Sequence, residues 1–585
     1  MSDVKTRISE LRKLMKEAGI DVYYIPMSDC HNSEYVASHF KCISFISGFT
    51  GSAGHVIVTQ DEAWLFADGR YYIQAANQIE GSGITLMKWG RPEIPEPADF
   101  LVEQAAGKVL GFDGSVVNAN FAKRIGRKAK KVVYDRDLIG EIWTDRPAQN
   151  FSETWQMPLE ACGETSESKL ARIRKELEKA IDDSSYGVKN GTYGYFLNSL
   201  DDIAWIFNIR ANDIPCNPVA YGFAVISGGI AHLFTNGKGY GKDWYKDESV
   251  EFDNILMDLS RISYDTYRYF VDKGQKIIDI KNPSTLMKGV KNETEIACLK
   301  EALRRDSAVE IKFMKWLKEN VGKIEMDEDS VDKYLTGLRA ESDMFLDRSF
   351  GTIAAYKENA AMMHYAATPE TAKKIEAEGM LLVDSGAQYK DGTTDITRTF
   401  VLGALTEEEK KAFTLTAVSM LRLLNAKFIE GCRGENVDIC AREAMWKEGM
   451  DYKCGTGHGV GHILNVHEGP HNIRWSINDA GPSAVFKEGM VVTNEPGVYR
   501  EGKFGIRTEN EMIVVPYMET EDGKFMQFEN LTFIPIDLDG IDTKYMTEED
   551  KKLLNDYHKS VYETEKGYLD NETQKWLEEY TKSVF

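Results

Sequence analysis

Residues 380–397, MLLVDSGAQYKDGTTDIT, combine an apolar strand, a turn and a second strand. Asp384 ends the first strand, Asp395 lies eleven residues later in the second, and residues 389–392 supply turn chemistry between them. A hairpin would set the two carboxylates roughly opposite each other, with Cβ atoms about 5 Å apart. Like charges so placed repel unless a cation lies between them. The stretch therefore predicts a hairpin with a candidate cation site, the alternative being two solvated acids at its edge.

A second apolar strand, residues 490–493, leads to Glu495, and Glu509 follows fourteen residues later. The glycines at 497, 502 and 505 allow another hairpin between these two acids. Residues two apart on a strand share a face, so we expect Arg507 and Glu509 to point the same way. A purely structural Arg–Glu pair is the alternative interpretation.

Between the two hairpins, residues 455–462 read GTGHGVGH, and these glycines let the backbone pass very close to whatever His458 contacts. A mobile glycine-rich loop is the alternative. Six of the ten histidines come after residue 360, at positions 364, 458, 462, 467, 471 and 558. Histidine is a common metal ligand, so this clustering favours metal binding, although a histidine-rich surface loop gives the same pattern.

Taken together, these segments supply an oxygen-rich set of metal donors with one nitrogen: Asp384, Asp395, His458, Glu495 and Glu509. Such a set suits Mn²⁺, with Co²⁺, Zn²⁺ or Fe²⁺ as alternatives. The four carboxylates carry four negative charges, which two divalent ions would balance. The sequence therefore predicts a site for two divalent metal ions.

The first half of the chain repeats one order of elements, which predicts an α/β fold. A helix pattern at residues 7–18 precedes a strand at 22–25 and a hairpin at 55–66. A second helix at 170–180 precedes strands at 193–197 and 203–207 and a hairpin at 223–234. We interpret this order as a duplicated module, residues 1–155 and 156–290, with chance similarity between two α/β units as the alternative.

From residue 291 the pattern changes. Asn292 is a candidate N-cap, and Glu295 is placed for a capping box that opens a helix to about residue 319. A further helix is predicted at residues 407–428, and residues 547–585 have the pattern of a polar helical tail. We therefore predict a third domain, of α+β type, over residues 291–585.

Composition limits the partners. The 585 residues include 71 Lys and Arg against 93 Asp and Glu, a net charge of −22, which argues against nucleic acid or an anionic membrane. The N-terminal segment lacks an apolar signal, no run of 18 apolar residues occurs, and none of the eight cysteines forms C-x-x-C. We expect a cytoplasmic protein with reduced thiols.

The order of the five candidate ligands resembles that of the pita-bread metallopeptidases, the family of methionine aminopeptidase, prolidase, creatinase and aminopeptidase P. The local sequences GTGHGVG (455–461), NVHEGP (465–470), EPG (495–497) and GIRTEN (505–510) carry the same resemblance. Within this family the chain is most similar to the three-domain, cytosolic form of Xaa-Pro aminopeptidase, with residues 45–54, 68–71, 142–147 and 202–210 similar to its N-terminal domains. The resemblance implies two creatinase-like modules followed by a pita-bread catalytic domain.

The resemblance also implies a role for each ligand. Asp384 would bind one metal ion, His458 and Glu495 would bind the other, and Asp395 and Glu509 would bridge both. Glu495 would in addition act in catalysis by moving a proton to the leaving nitrogen.

Further residues match positions of the family that contact substrate. His364 and His467 would position the peptide and assist catalysis, and Tyr499 and Arg507 would line the proline side. Arg70 would reach towards substrate, the alternative being a charge that stabilises a turn. The implied substrates are peptides with proline at the second position, and the implied assembly is a homodimer.

The same fold serves three other functions. Prolidase cuts only dipeptides, and the duplicated N-terminal modules favour the aminopeptidase. Creatinase lacks the five ligands, which this chain has, and their presence also argues against a metal-free binding module. One residue departs from the family pattern: Cys454 stands where the family often has histidine. This departure affects the fine positioning of substrate beside the loop that Cys454 precedes.

Overall fold

The computed structural model describes residues 3–183, 191–235, 241, 244–246, 252–477 and 481–583. They form two compact units. The first contains Met1–Met157 and Glu164–Ser284, and the second contains Pro158–Gly163 and Thr285–Phe585. Across the described ranges, no helix is long and apolar enough to cross a membrane.

The structure alternates helices and strands along the chain. The helices are α1 (Val4–Glu17), α2 (Cys42–Ser47), α3 (Tyr72–Gln78), α4 (Pro97–Gln104), α5 (Ala119–Gly126), α6 (Leu138–Ile142), α7 (Leu159–Cys162), α8 (Ser166–Asp182), α9 (Leu200–Phe207), α10 (Tyr264–Asp272), α11 (Pro283–Gly289), α12 (Glu293–Asn320), α13 (Glu328–Ala340), α14 (Glu407–Leu424), α15 (Gly434–Val437), α16 (Ile439–Lys447), α17 (Glu548–Glu565) and α18 (Asn571–Tyr580). The strands are β1 (Val22–Pro26), β2 (His55–Thr59), β3 (Ala63–Ala67), β4 (Thr85–Lys88), β5 (Val109–Gly111), β6 (Lys131–Val133), β7 (Trp155–Gln156), β8 (Tyr193–Leu197), β9 (Ile209–Arg210), β10 (Gly222–Ile226), β11 (Ala231–Thr235), β12 (Asn254–Met257), β13 (Ile277–Asp279), β14 (Phe345–Arg348), β15 (Ile353–Tyr356), β16 (Met380–Ser385), β17 (Ala387–Tyr389), β18 (Gly392–Thr393), β19 (Ile396–Val401), β20 (Lys427–Ile429), β21 (Gly457–Gly459), β22 (Glu468–Ile473), β23 (Val491–Asn494), β24 (Gly497–Arg500), β25 (Phe504–Arg507), β26 (Asn510–Thr520) and β27 (Gly523–Asn530).

The first unit contains two sheets that share the same topology. Their strand orders are β4-β3-β2-β1-β5-β6 and β11-β10-β8-β12-β13. In each, the central strand pairs antiparallel with the start of a hairpin (β1 with β2, β8 with β10) and parallel with a later strand (β1 with β5, β8 with β12). Among the described residues, the two sheets differ in the extra edge strand β4, and the shared order agrees with a duplicated α/β module.

The predicted strand at residues 203–207 is wrong, because these residues belong to helix α9. They form a short run buried on nearly every side, and such a run does not distinguish a helix from a strand by periodicity. Asp201 and Asp202 in the first turn favour the helix through its dipole, and Asn208 ends it with a left-handed backbone.

In the second unit, the predicted capping box is present. The Asn292 side chain accepts from the Glu295 N–H, the Glu295 side chain accepts from the Asn292 N–H, and α12 follows. The helix predicted at residues 407–428 ends earlier, at Leu424, because Asn425 caps it and Phe428 enters β20. The tail forms α17 and α18, as predicted.

Three groups of strands in the second unit surround one region. They are the sheet β15-β16-β19, the six-stranded sheet β20-β27-β26-β23-β21-β22, and the hairpin β24-β25. The predicted turn between the two aspartates is a two-residue turn, since Tyr389 pairs with Gly392 across β17 and β18. The predicted hairpin between Glu495 and Glu509 is β24-β25. These elements bring the carboxylates of both hairpins to the same place.

Candidate metal centre

All five predicted ligands meet at the ends of these strands. Asp384 lies on β16, Asp395 precedes β19, His458 lies on β21, Glu495 follows β23, and Glu509 lies between β25 and β26. Together with His467, which was not a predicted ligand, they form three overlapping groups of ligand atoms, each within 4.8 Å: Asp384, Asp395 and Glu509; His458, Glu495 and Glu509; and Asp395, His458 and His467.

The two aspartates of the first hairpin pair diagonally. Asp384 lies directly opposite Thr397, and Asp395 lies two residues before Thr397. Residues two apart on a strand share a face, so Asp395 and Thr397 project to the same side. The sequence therefore predicted that the two acids lie close together. The strand register places Asp395 two residues away from the position directly opposite Asp384.

Glycine next to His458 permits a close approach of two strands. A Cβ at Gly457 would lie 1.9 Å from the carbonyl oxygen of Thr493, so only glycine fits there. The His458 N–H donates to Thr493 Oγ1 at 3.1 Å, and His458 Nδ1 lies 2.9 Å from the Gly459 oxygen. The other ring nitrogen, Nε2, lies 3.3 Å from Asp395 Oδ2 and 3.7 Å from Glu495 Oε1. The imidazole is thus held with one nitrogen among the carboxylates.

Thr397, which the sequence analysis did not identify, links the two hairpins. Its hydroxyl donates to Glu509 Oε2 at 2.7 Å and accepts from Arg507 Nε at 3.1 Å. Arg507 also forms an ion pair with Asp384 and donates to the Tyr499 hydroxyl at 2.6 Å. The expected common orientation of Arg507 and Glu509 is therefore present. The position of Thr397, two residues after Asp395, was the available signal.

Glu511 is a second residue that the sequence analysis missed. Its Oε1 accepts the backbone N–H of Asp395 at 2.8 Å, which fixes the backbone at that ligand. Glu511 lies two residues after Glu509 on β26 and is fully buried. An acid at this spacing from a candidate ligand was its signal in the sequence.

Burial and mutual repulsion dominate the electrostatics of the cluster. Burial raises the pKa of Glu509 well above its ordinary value, and the charges of Asp395, Glu495 and Asp384 raise it further. Burial likewise raises the pKa values of Asp384 and Glu495, against the opposing charge of Arg507. At His458, burial lowers the pKa, but the hydrogen bond to Asp395 and the charge of Glu495 outweigh it and raise the pKa to about 9.

These features fit divalent metal ions. The cluster concentrates four acids against one arginine and one histidine, and cations would relieve the repulsion that raises the pKa values. Asp384 Oδ1 is buried and has no hydrogen-bond partner among the described residues. An oxygen-rich set with one imidazole nitrogen suits Mn²⁺ and related ions.

Mn²⁺ binding to the metal-free protein is expected to release protons near neutral pH. The raised pKa of about 9 means that His458 holds a proton there, and a bound cation requires the neutral imidazole. Affinity should therefore increase as pH rises towards the His458 pKa of about 9. Calorimetry at two pH values, in buffers of different ionisation enthalpy, counts these protons. Binding without proton release, or weaker binding at the higher pH, would contradict this.

Both histidines predicted to position substrate lie in the second unit. The His467 ring is 4.2 Å from the His458 ring, edge to face. His364 is half-buried in the turn after the 3-10 helix Lys357–Ala361. That helix packs on β25, where a Cβ at Gly505 would lie 1.8 Å from the Ala360 oxygen. The close contact ties the chain leading to His364 to the strand that carries Arg507.

Arg70 lies in the first unit, where its guanidinium forms two hydrogen bonds to Asp68, at 2.9 and 2.7 Å. These contacts are those of a turn-stabilising charge, and its substrate role stays a prediction. Cys454 precedes the His458 strand, and Arg442 Nη2 donates to its carbonyl oxygen at 2.9 Å.

The chain is similar over its whole length to known proteins. Metallopeptidase family M24 matches residues 297–516, its C-terminal region matches 524–584, and the creatinase/prolidase N-terminal domain matches twice, over 7–143 and 145–295. Probable Xaa-Pro aminopeptidases P of Pyrenophora teres and Leptosphaeria maculans are each 36% identical, covering 99% of this chain and 92% and 99% of theirs.

A solved structure is also similar to this chain over its full length. The X-prolyl aminopeptidase of Caenorhabditis elegans, described as a cytosolic enzyme with a di-nuclear active site, superposes with a TM-score of 0.90 at 30% identity, covering both chains fully. The matched domains, the full-length relatives and the cluster of acids and histidine agree. The chain belongs to the M24 family of metallopeptidases, in the same group as these full-length relatives.

Proposed function

We propose that this chain is a metallo-aminopeptidase that removes the N-terminal residue from peptides with proline at the second position. The observation that carries the proposal is the convergence of four carboxylates and His458 within overlapping groups of 4.8 Å. Full-length similarity to Xaa-Pro aminopeptidases P supports the substrate class. The di-nuclear site described for the nematode enzyme supports two ions here.

We assign the two ions to overlapping sets of ligands. Asp395 and Glu509 each lie in one group with Asp384 and in another with His458, which supports a bridging role for both. Asp384 would complete one site, and His458 with Glu495 the other. Mn²⁺ is the proposed metal, with Zn²⁺, Co²⁺ or Fe²⁺ as alternatives. When bound, the ions would supply Lewis acidity that polarises the scissile carbonyl and activates water.

Protein side chains handle the proton and the developing charge. Glu495 would take a proton from the attacking water and deliver it to the proline nitrogen, which must be protonated to leave. Its Oε1 lies 3.5 Å from Thr493 Oγ1 and within the ligand group of His458. His364 and His467 would donate N–H groups to the carbonyl oxygens of the substrate as negative charge develops.

The proline ring would lie beside Tyr499 and Arg507. The hydrogen bond between them holds the phenol in place, and the Arg507 ion pair to Asp384 connects this wall to the metal ligands. An Xaa–Pro amide has no N–H, so a site shaped for the ring can select a bond that other peptidases bind poorly.

Cleavage of four peptides tests this specificity with Mn²⁺ present. Ala-Pro-Ala should be cut between Ala and Pro, and Ala-Ala-Ala at least about tenfold more slowly, because an open side chain fills the ring pocket badly. N-acetyl-Ala-Pro-Ala should resist, because acetylation removes the α-amine. Comparable rates for Ala-Pro-Ala and Ala-Ala-Ala would refute proline selectivity.

The dipeptide Ala-Pro separates the proposal from its nearest rival. Slow cleavage is expected, because Ala-Pro offers less binding beyond the reacting bond. Cleavage of Ala-Pro alone would identify a prolidase, and no metal binding together with no cleavage would favour a metal-free binding module.

We also propose a division into residues 1–155, 156–290 and 291–585, which the separate domain matches support. Arg70 is proposed to contact substrate. A cytoplasmic location is supported by the description of the nematode enzyme as cytosolic. A homodimer remains the expected assembly, which light scattering of the purified protein would test.

A further inference from the structure

Glu328 is a fully buried carboxylate at the first position of helix α13. Burying a charged carboxylate is costly unless hydrogen-bond donors replace the water that it loses. The N-terminus of α13 offsets part of this cost, because the helix dipole favours an acid there. Glu328 is neither one of the proposed metal ligands nor one of the residues assigned above to substrate, so its burial needs a reason of its own.

Four donors surround this carboxylate. Its Oε1 accepts the backbone N–H of Tyr356 at 2.7 Å and the side-chain amide of Asn359 at 2.9 Å. Its Oε2 accepts the hydroxyl of Tyr365 at 2.8 Å and the backbone N–H of Lys373 at 2.8 Å, and the Asn359 amide also lies 3.2 Å from it. A carboxylate offers about four lone-pair sites, so these bonds use its full capacity.

The donors lie inside or at the two ends of one segment of the chain, residues 357–372. Tyr356 is the last residue of β15 and precedes the segment, whereas Lys373 follows it. The Glu328 N–H in turn donates to the carbonyl oxygen of Lys373 at 3.2 Å. One side chain therefore ties together the start and the end of this segment.

The same segment carries His364. Tyr365 follows His364 directly, in the turn after the 3-10 helix. Burial raises the pKa of Tyr365, and its hydrogen bond to Glu328 raises it further, so the phenol stays a donor at neutral pH. The segment starts from β15, whose Ile353 pairs directly with Asp384 on β16. The bonds to Glu328 therefore restrain a histidine whose segment leaves from the sheet that holds a proposed metal ligand.

We propose that Glu328 is a positioning residue for His364: by holding both ends of segment 357–372 and the Tyr365 hydroxyl, it fixes where the imidazole lies. Its effect on the reaction rests on the proposed function, in which His364 donates to the substrate. Glu328→Gln keeps the shape of the side chain but turns an NH₂ group towards N–H and O–H donors, so it should release part of the segment.

The kinetic test introduces Glu328→Gln into two backgrounds. In the wild type, kcat for Ala-Pro-Ala should fall about tenfold with unchanged metal content, because a small misplacement of a catalytic group has effects of at least this order. In His364→Ala, the same change should have less than about a twofold effect, because the group that Glu328 positions is already absent. A tenfold loss in both backgrounds would indicate general damage to the fold and would overturn the proposal, as would no loss in the wild type.

Tyr365→Phe keeps the test decisive if Glu328→Gln does not fold. It removes one of the bonds to Glu328 at a half-buried ring and should lower kcat by roughly threefold, again only when His364 is present. An unchanged kcat in Tyr365→Phe would contradict the proposal.

Asp327→Ala is the matched control at the same helix end. The Asp327 carboxylate caps α13 by accepting the Ser330 N–H at 2.7 Å, a bond within the helix that does not involve segment 357–372. This variant should leave kcat unchanged. A loss as large as that of Glu328→Gln would assign the effect to α13 as a whole and overturn the specific role of Glu328.

Hydrogen exchange of residues 357–372, followed by mass spectrometry, needs no turnover. These amides should exchange about tenfold faster in Glu328→Gln than in the wild type, and at the wild-type rate in Asp327→Ala. If the wild type cleaves no peptide, the proposed function fails, and this comparison still decides whether Glu328 holds the segment. Equal exchange in Glu328→Gln and the wild type would refute the assignment.

Discussion

Asp395→Ala and Glu509→Ala are each expected to abolish peptide turnover and to lower the metal content of the purified protein. Each side chain lies in one group of ligand atoms with Asp384 and in another with His458, so its loss weakens both proposed metal sites at once. The measurements are elemental analysis of metal content and cleavage of Ala-Pro-Ala. Near-normal activity of either variant at ordinary metal concentrations would contradict the two-metal assignment.

Asp391→Ala is the matched control on the same hairpin. Asp391 is buried to a similar degree, but both its oxygens accept hydrogen bonds from Arg305, at 3.0 and 2.9 Å. This variant should keep its metal and its turnover, because the carboxylate belongs to an ion pair outside the cluster. Loss of metal in the control would mean that damage to the hairpin, and not loss of a ligand, explains the Asp395→Ala result.

The same cluster predicts opposite effects on activity and on stability. Glu509→Gln keeps the shape of the side chain but removes a carboxyl group whose pKa is raised well above its ordinary value by burial and by the charges of Asp395, Glu495 and Asp384, so that burying this group costs stability at neutral pH. In the absence of metal, this variant should therefore unfold at a higher temperature than the wild type while remaining inactive. Thermal unfolding with and without Mn²⁺ measures the difference. A lower unfolding temperature of the metal-free variant would contradict it.

The main features of this site were readable from the sequence because its signals are local. Strand Met380–Ser385, the turn at residues 389–392 and Asp395 all lie within eighteen residues. The capping box at Asn292 and Glu295 is also a local signal. Helix α9 was mistaken for a strand because a short run buried on most sides has no periodicity to read.

The features of the site that could not be predicted from the sequence depend on contacts between segments that are distant in the chain. Arg398 lies between two polar residues on β19 and is nevertheless buried. Its guanidinium donates to the carbonyl oxygens of Thr397 and of Glu509, and Glu509 is 111 residues away in the sequence. The same guanidinium donates to the Tyr557 hydroxyl on α17 at 2.8 Å. An arginine with six internal acceptors cannot be told from a surface arginine until the pairing register and the C-terminal helix are known. Thr397 and Glu511 each had a local spacing signal, but the groups they bond, Glu509 and the Asp395 N–H, lie 112 and 116 residues away in the sequence.

His467→Ala and His364→Ala are expected to reduce turnover by roughly 10²–10³ while leaving the metal content unchanged. Loss of one donor to developing negative charge typically has an effect of about this size. The expectation for His467 is the easier of the two to refute. Its ring is 4.2 Å from that of His458, and one of its nitrogens belongs to the group of ligand atoms that contains Asp395 and His458. Proximity alone would allow His467 to bind metal.

Metal stoichiometry and partial rescue distinguish the two roles of His467. If it donates a hydrogen bond to substrate, His467→Ala keeps both ions, and His467→Gln recovers part of the lost kcat because its amide N–H can still donate. His458→Ala serves as the reference, since it should lose metal outright. A fall in metal content of His467→Ala comparable to that of His458→Ala would make His467 a ligand. The three overlapping groups would then describe six ligands, and hydrogen bonding to the developing charge would rest on His364.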